Sequence, residues 1–223
     1  MDTAFQIAVV ALANILGGAV AIPQASRLIR HRRVDGVSTL WAGSSVGINL
    51  WWIAYGLGAG DSSWAIIPVG VISTIAYLLI SVNLVRFSSR PRGSVVASLI
   101  VPAVIGVALP VPAFALGGWP ATGITLGTIY GFQLLPAVIA VYRSRDTSGV
   151  SVPTWIMAWT EALLWGIYGF GPRDPGILAF ATTGLVMSSG VLLGLFIRRS
   201  PDNAIPDPDA RDELMDPAWP GGY

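Results

Sequence analysis

A chain of 223 residues that is 53% hydrophobic and 11% charged, with a mean hydropathy of +0.66, cannot hide its apolar surface inside one water-soluble core and must be solvated by lipid. Cysteine is absent, which excludes disulfides, thiolate metal sites and cysteine nucleophiles; all 13 basic residues are arginine, so lysine Schiff-base chemistry, including a retinal linkage, is excluded as well. A net charge of +1 gives no surface for nucleic acid, and the information lies in where the charges fall.

Seven apolar stretches follow one another, at about 4–26, 37–58, 64–85, 94–116, 119–142, 151–171 and 175–197, each long enough at about 1.5 Å per residue to cross a bilayer. The first is preceded by Asp2 rather than by basic residues, unlike a cleaved leader. Arginines follow the first span (Arg27, Arg30, Arg32, Arg33), the third (Arg86, Arg90, Arg92), the fifth (Arg143, Arg145) and the seventh (Arg198, Arg199), while Arg173 alone falls on the opposite side. The positive-inside rule therefore predicts a multi-pass protein of the cell membrane with the amino terminus outside and the carboxyl terminus cytoplasmic. Trp64 and Trp119 fall near the outer boundary and Trp41, Tyr142 and Trp155 near the inner one, where aromatic anchors belong. Beyond Arg199, residues 200–223 carry six acidic residues and one arginine among prolines, and a disordered acidic cytoplasmic tail is expected.

The stretch Gly18 to Arg86 recurs at a constant offset of 113 as Gly131 to Arg199. Pro23 falls on Pro136, Gly36-Val37-Ser38 on Gly149-Val150-Ser151, Trp52 on Trp165, Tyr55-Gly56 on Tyr168-Gly169 and Asp61 on Asp174. Each copy has three spans, so two copies in the same orientation need one additional crossing between them, which the proline-bearing span 94–116 supplies. The expected fold is an all-α membrane protein of seven transmembrane helices, two parallel three-helix bundles joined by an inversion linker helix. Its divisions are 1–86 for the first bundle, 87–118 for the linker, 119–199 for the second bundle and 200–223 for the tail.

Few residues suit chemistry. Pro23 and Pro136 interrupt helical segments at matched positions, each removing a backbone donor, and are either hinges or tolerated kinks. Pro153 stands near the start of the sixth span, where proline is common, and its partner in the first repeat is Leu40. Trp52 and Trp165 are matched indoles deep in the second and sixth spans, able to stack on a solute across the axis or to pack the bundle. Glu161 is the one acidic residue deep within a span and shares a helix face with Trp165 and Tyr168; it binds a proton or a substrate amine, or serves as a structural hydrogen bonder. Its repeat equivalent is Ile48, beside which Asn49 offers a neutral polar group. Asp61 and Asp174 precede apolar spans and are expected to cap helices; Gly190 and Gly194 form a small-xxx-small pair suited to close helix packing. His31 is the sole histidine, and no metal-ligand cluster or Ser/His/Asp set meets at one depth, so neither an enzyme nor a cofactor is expected.

The combination of Pro23-Gln24, an arginine-rich loop leading to Gly36-Val37-Ser38, and Trp52-Ile53-Ala54-Tyr55-Gly56, repeated after a linker helix, resembles the SWEET sugar facilitators and the wider PQ-loop (MtN3) superfamily over about 4–199. The resemblance implies alternating access around a central cavity, with Pro23, Gln24, Pro136 and Pro153 at hinge positions and Trp52 and Trp165 at cavity positions. Where that family uses asparagines of the third and seventh helices, Pro68 and Ala181 stand here. A small polar solute, a sugar first, is the partner so implied, beside the lipid bilayer and a second copy of the chain in a homo-oligomer. Two alternatives remain open: a proton-coupled or amine-binding transporter of amino acids or other small metabolites using Glu161, and a non-transporting membrane receptor or scaffold acting through its tail.

Overall fold

A computed structural model describes residues 3–32, 34, 37–143 and 150–199, without the side chains of 20–28, 31, 198 and 199. The tail at 200–223 lies outside these residues, as do Arg33, Gly36, Arg145 and Gly149. Pro23 and Gln24 fall within a helix, but their side chains are outside the described set.

The described chain is all helical: α1 (Thr3–His31), α2 (Thr39–Gly58), α3 (Ile67–Phe87), α4 (Arg92–Ala108), α5 (Val111–Arg143), α6 (Val152–Phe170) and α7 (Pro175–Arg199), with a 3-10 turn at Ser63–Ile66 before α3. The stretches Ser63–Phe87, Val111–Arg143 and Pro175–Ile197 are long and apolar enough to cross a membrane, and α1 through Ala19 and α4 are apolar over shorter lengths. Large apolar side chains face outward along the helices, among them Ile15, Leu40, Val82, Phe132 and Phe196, as a lipid-solvated surface requires. The molecule is a multi-pass membrane protein.

The repeated Gly-Val-Ser motif acquires a physical meaning at its serine. Ser38 caps α2 by accepting from Trp41 N at 3.2 Å, and its equivalent Ser151 caps α6 by accepting from Thr154 N at 3.5 Å, each such cap stabilising its helix by ~1 kcal/mol. The linker helix is shorter than the apolar stretch suggests. It ends at Ala108, and a further break at Gly118, whose φ of 59° and ψ of −152° suit glycine almost alone, separates 111–117 from the crossing part of α5 at 119–143.

In the first repeat α3 packs between α1 and α2; in the second α7 packs between α5 and α6. The repeats meet where α1 touches α6 and α2 touches α5, which closes six helices into a ring, while α4 lies outside it against α2. Thr3 and Gln6 of α1 lie by the 59–62 and 171–174 loops, and Trp119 at the start of the crossing part of α5 packs on Gly58, so both repeats enter at the same end. Arg32 and Arg86 meet over Phe87 at the other end, called the arginine end below.

Two glycine seams set the closest approaches. A Cβ on Gly43 would run into the Leu99 carbonyl oxygen, one on Gly47 into that of Ala103, and one on Gly106 would stand 2.7 Å from the Ser44 carbonyl oxygen, so α2 and α4 touch backbone to backbone. Gly123 and Gly127 do the same for α5 against Gly176, Ala179 and Phe180 of α7, and Gly131 makes room for the Thr183 side chain. Gly190 and Gly194 continue that interface against Val138, Val141 and Tyr142, in the packing role that their spacing predicts.

The buried apolar residues are distributed unevenly along the bundle axis. One large cluster draws on both repeats and includes Trp52, Tyr55, Ile66, Leu126, Trp165, Tyr168, Ile177 and Phe180. Nearer the arginine end are two separate clusters, one of Ala42, Ile80, Leu84, Val95 and Leu99, the other of Val141, Val191 and Leu195. Among the described residues the repeats thus share a core toward the Asp174 end and keep separate cores toward the arginine end.

Candidate functional site

The centre of the ring holds a cavity of about 90 Å³, room for a handful of waters at ~10–15 Å³ each. Every ring helix contributes to it: Gly17 from α1; Ser45, Ile48, Asn49 and Trp52 from α2; Ile66 of the 3-10 turn with Val69, Gly70, Ser73 and Tyr77 of α3; Tyr130 and Gln133 from α5; Glu161 from α6; and Phe180 from α7. The linker helix α4 contributes nothing to its lining.

Three of the residues singled out in the sequence come together here: Trp52, Asn49 and Glu161. Asn49 is turned back on its own helix, donating to the Ser45 carbonyl at 2.8 Å. Trp52 meets Phe180 edge to face at 5.7 Å, and Phe180 stacks on Tyr130 at 4.3 Å, so three rings form one wall. Glu161 is buried, and no described donor reaches its carboxylate in hydrogen-bond geometry; the indole N–H of Trp165, one turn on, is the polar group beside it. Gly17 makes room for that carboxylate, since a Cβ there would collide with Glu161 Oε1. Two further polar atoms of the lining are buried without a partner: Gln133 Nε2 and Ser45 Oγ, the latter near the Tyr77 hydroxyl but outside hydrogen-bond geometry. Buried polar atoms left unpaired in a cavity are positioned to bind water or solute.

Trp165 lies off the cavity, completely buried against Tyr168 at 6.1 Å with its N–H unpartnered. Ala181 is buried in the shared core. Pro68 is exposed, lines a separate cleft of about 900 Å³ between α1 and the 59–62 and 171–174 loops, and marks the passage from the 3-10 turn into α3. The helical hydrogen bond from Val69 N to the Ala65 carbonyl is replaced there by Asn14 of α1, whose Oδ1 accepts from Val69 N at 2.7 Å and whose Nδ2 donates to the Ala65 carbonyl at 3.0 Å. Pro136 sits inside α5 and lines a cleft of about 870 Å³ between α2, α4 and α5; this cleft shares Ile48 and Gln133 with the central cavity. Pro153 occupies the first turn of α6, and its equivalent Leu40 is exposed.

At the Asp174 end the two repeats are latched together. Asp174 caps α7 as expected, Oδ1 accepting from Gly176 N and Ile177 N at 3.0 Å each. The same carboxylate also reaches the first repeat, accepting from the Tyr55 hydroxyl at 2.6 Å and the Ser63 hydroxyl at 2.8 Å. In return Tyr168, the repeat equivalent of Tyr55, donates to the Ser62 carbonyl. Asp61 departs from the expectation: it is exposed, and neither the 3-10 turn nor α3 has a side-chain cap, because the turn interposes four residues between the loop and the helix. Arg173, at φ 57°, holds the bend that presents Asp174 inward.

Sequence reasoning noted Tyr55 and Tyr168 as matched but gave them no role, and it passed over Gly17, Ser45, Ser73, Tyr77, Tyr130 and Gln133. A signal existed in the mismatches between repeats: Gly17 pairs with Tyr130, Ile48 with Glu161, Ser73 with Val186 and Tyr77 with Gly190. The described residues hold no group of three or more His, Cys, Asp or Glu side chains able to bind a metal.

No family model and no curated protein matches the sequence. The architecture, however, superimposes on a solved eukaryotic SWEET transporter with a TM-score of 0.66, covering 86% of this chain and 98% of that one at 16% identity. The chain has the fold of a SWEET transporter.

Proposed function

We propose that this chain is a membrane transporter of the SWEET and PQ-loop (MtN3) kind, carrying a small polar solute, a sugar first, through the bilayer by alternating access and without enzymatic chemistry. The observation that carries the reading is the ring itself. All six repeat helices line one cavity, while among the described residues the hydrogen-bonded latch and the shared core lie toward one end only. A cavity between two halves held together at one end is what a rocking carrier needs in one of its two states.

In this reading residues 1–86 and 119–199 are the moving bundles, 87–118 is their connector, and the arginine end is cytoplasmic. Trp52 stacks on the solute, Ser45 and Gln133 hydrogen-bond it, Trp165 supports Glu161 from behind, and Pro23, Gln24, Pro136 and Pro153 take up the bending. A second reading is favoured by one observation: Glu161 is a buried carboxylate in the cavity lining with the Trp165 indole as its polar neighbour, where a proton or a substrate amine fits as well as a neutral hydroxyl. The test is uptake of labelled sugars and amino acids into proteoliposomes with and without a pH gradient. Sugar entry that equilibrates, ignores the gradient and fails in Trp52→Ala supports the facilitator. Gradient-driven accumulation lost in Glu161→Gln moves the assignment to the second reading, and no flux of any solute refutes both.

A further inference from the structure

The linker helix creates a second feature, unrelated to the cavity. Because the glycine seam draws α4 onto α2, α4 stands away from α3, and a groove of about 520 Å³ runs between them with Gly43 and Val46 on its floor. Its walls are apolar, with Leu78, Val82 and Val85 on α3 facing Val96 and Ile100 on α4. From Ala103 to Arg92 the wall extends for about 16 Å at ~1.5 Å per residue, the length of a substantial part of an acyl chain.

The mouth of the groove is cationic. Arg86 and Arg92 line it, and Arg32 joins Arg86 over the Phe87 ring at 6.0 and 5.5 Å. Like charges gathered this way repel, and no ion pair relieves them among the described residues. The described carboxylates are Asp61 and Asp174 at the opposite end and Glu161 at the centre. Apolar walls leading to unpaired guanidiniums are complementary to one class of molecule that the bilayer supplies, a phospholipid with an anionic headgroup.

We propose that this groove binds one anionic phospholipid, with an acyl chain between α3 and α4 and the phosphate held by Arg86 and Arg92. The site is independent of the transport reading. Among the described residues it has no counterpart in the second repeat, where no helix equivalent to α4 flanks α7.

The test is native mass spectrometry of the delipidated full chain titrated with phosphatidylglycerol and, separately, phosphatidylcholine of the same acyl composition. One phosphatidylglycerol should bind at concentrations at least tenfold lower than phosphatidylcholine, at ~1 kcal/mol per cation. Arg86→Gln with Arg92→Gln should reduce that preference to under threefold, and Arg86→Lys with Arg92→Lys should keep it. Val82→Trp, which fills the groove without altering charge, should lower occupancy by both lipids and serves if the neutralised pair does not fold. Equal binding of the two lipids to the native chain, or a preference that survives the glutamines, overturns the assignment. Displacement of the lipid by millimolar inorganic phosphate would also overturn it, because the groove would then add nothing to the guanidiniums.

Discussion

Replacing Tyr55 by Phe deletes one hydroxyl from the latch and leaves the ring in place. The lost bond is short, 2.6 Å, runs to a carboxylate and is buried at both ends, Tyr55 being 1% and Asp174 5% exposed. Hydrogen bonds to charged groups contribute ~1.5–3 kcal/mol, and Asp174 keeps Ser63 and two backbone N–H donors, so it is not stranded. If the bond exists only in the state closed at this end, its loss multiplies the open population there by about 10- to 150-fold. The absence of cysteine makes this measurable: Ser73→Cys places a single thiol in the cavity, and its labelling rate with a membrane-impermeant reagent added from the Asp174 side reports that population. Tyr55→Phe in this background should raise the rate at least tenfold, whereas Thr128→Val, which removes a hydrogen bond within α5 on the outside of the ring, should leave it unchanged. An unchanged rate in Tyr55→Phe, together with a lowered unfolding temperature, would mean that the contact stabilises the fold in both states and gates nothing.

Gly43→Ala pushes a methyl group into the backbone of α4 and should destabilise the detergent-solubilised protein by ~1–3 kcal/mol in thermal unfolding, while Gly93→Ala, with nothing within 4 Å, should stabilise it by ~0.5–1 kcal/mol. Asn14→Leu orphans both Val69 N and the Ala65 carbonyl, and at ~1–3 kcal/mol for each unsatisfied group it should lower stability by more than Thr128→Val does in the same assay. Gly17→Ala pushes against both the Glu161 carboxylate and the Val69 side chain, and should reduce proteoliposome uptake and lower thermal stability together, whereas Gly93→Ala should reduce neither. Arg173 bears the left-handed penalty of an L-residue at φ 57°, so Arg173→Gly should stabilise by ~1 kcal/mol, whereas the β-branched Arg173→Val should destabilise.

What the sequence disclosed was whatever depends on periodicity and charge placement. Helix number, the repeat and the odd linker follow from apolar length and from arginines that fall on one side; Glu161 stands out because it interrupts lipid-like surroundings, Trp52 because it recurs as Trp165, and Asn49 because it adjoins the repeat equivalent of Glu161. The contact from Tyr55 to Asp174 spans 119 positions, and no spacing rule carries it; it depends on how two bundles meet. The position of Trp165 behind the cavity had the same obstacle, since matched residues in a repeat need not occupy matched surroundings once Glu161 stands on one side and Ile48 on the other. Asp61 misled for a local reason, the 3-10 turn that follows it.

The latch also bears on ancestry. Each repeat carries both members of the pair that closes it, Tyr55 with Asp61 in the first and Tyr168 with Asp174 in the second. Two identical copies related by a two-fold axis would form the contact twice, tyrosine of one to aspartate of the other, as isologous interfaces do. Within one chain the copies do not have to agree: Asp174 makes the contact, Asp61 lies at the surface, and Tyr168 donates to a carbonyl oxygen. One covalent chain frees each half from serving as its own partner, and the cavity can then carry an acid, Glu161, on one side with Ile48 at the matched position of the other.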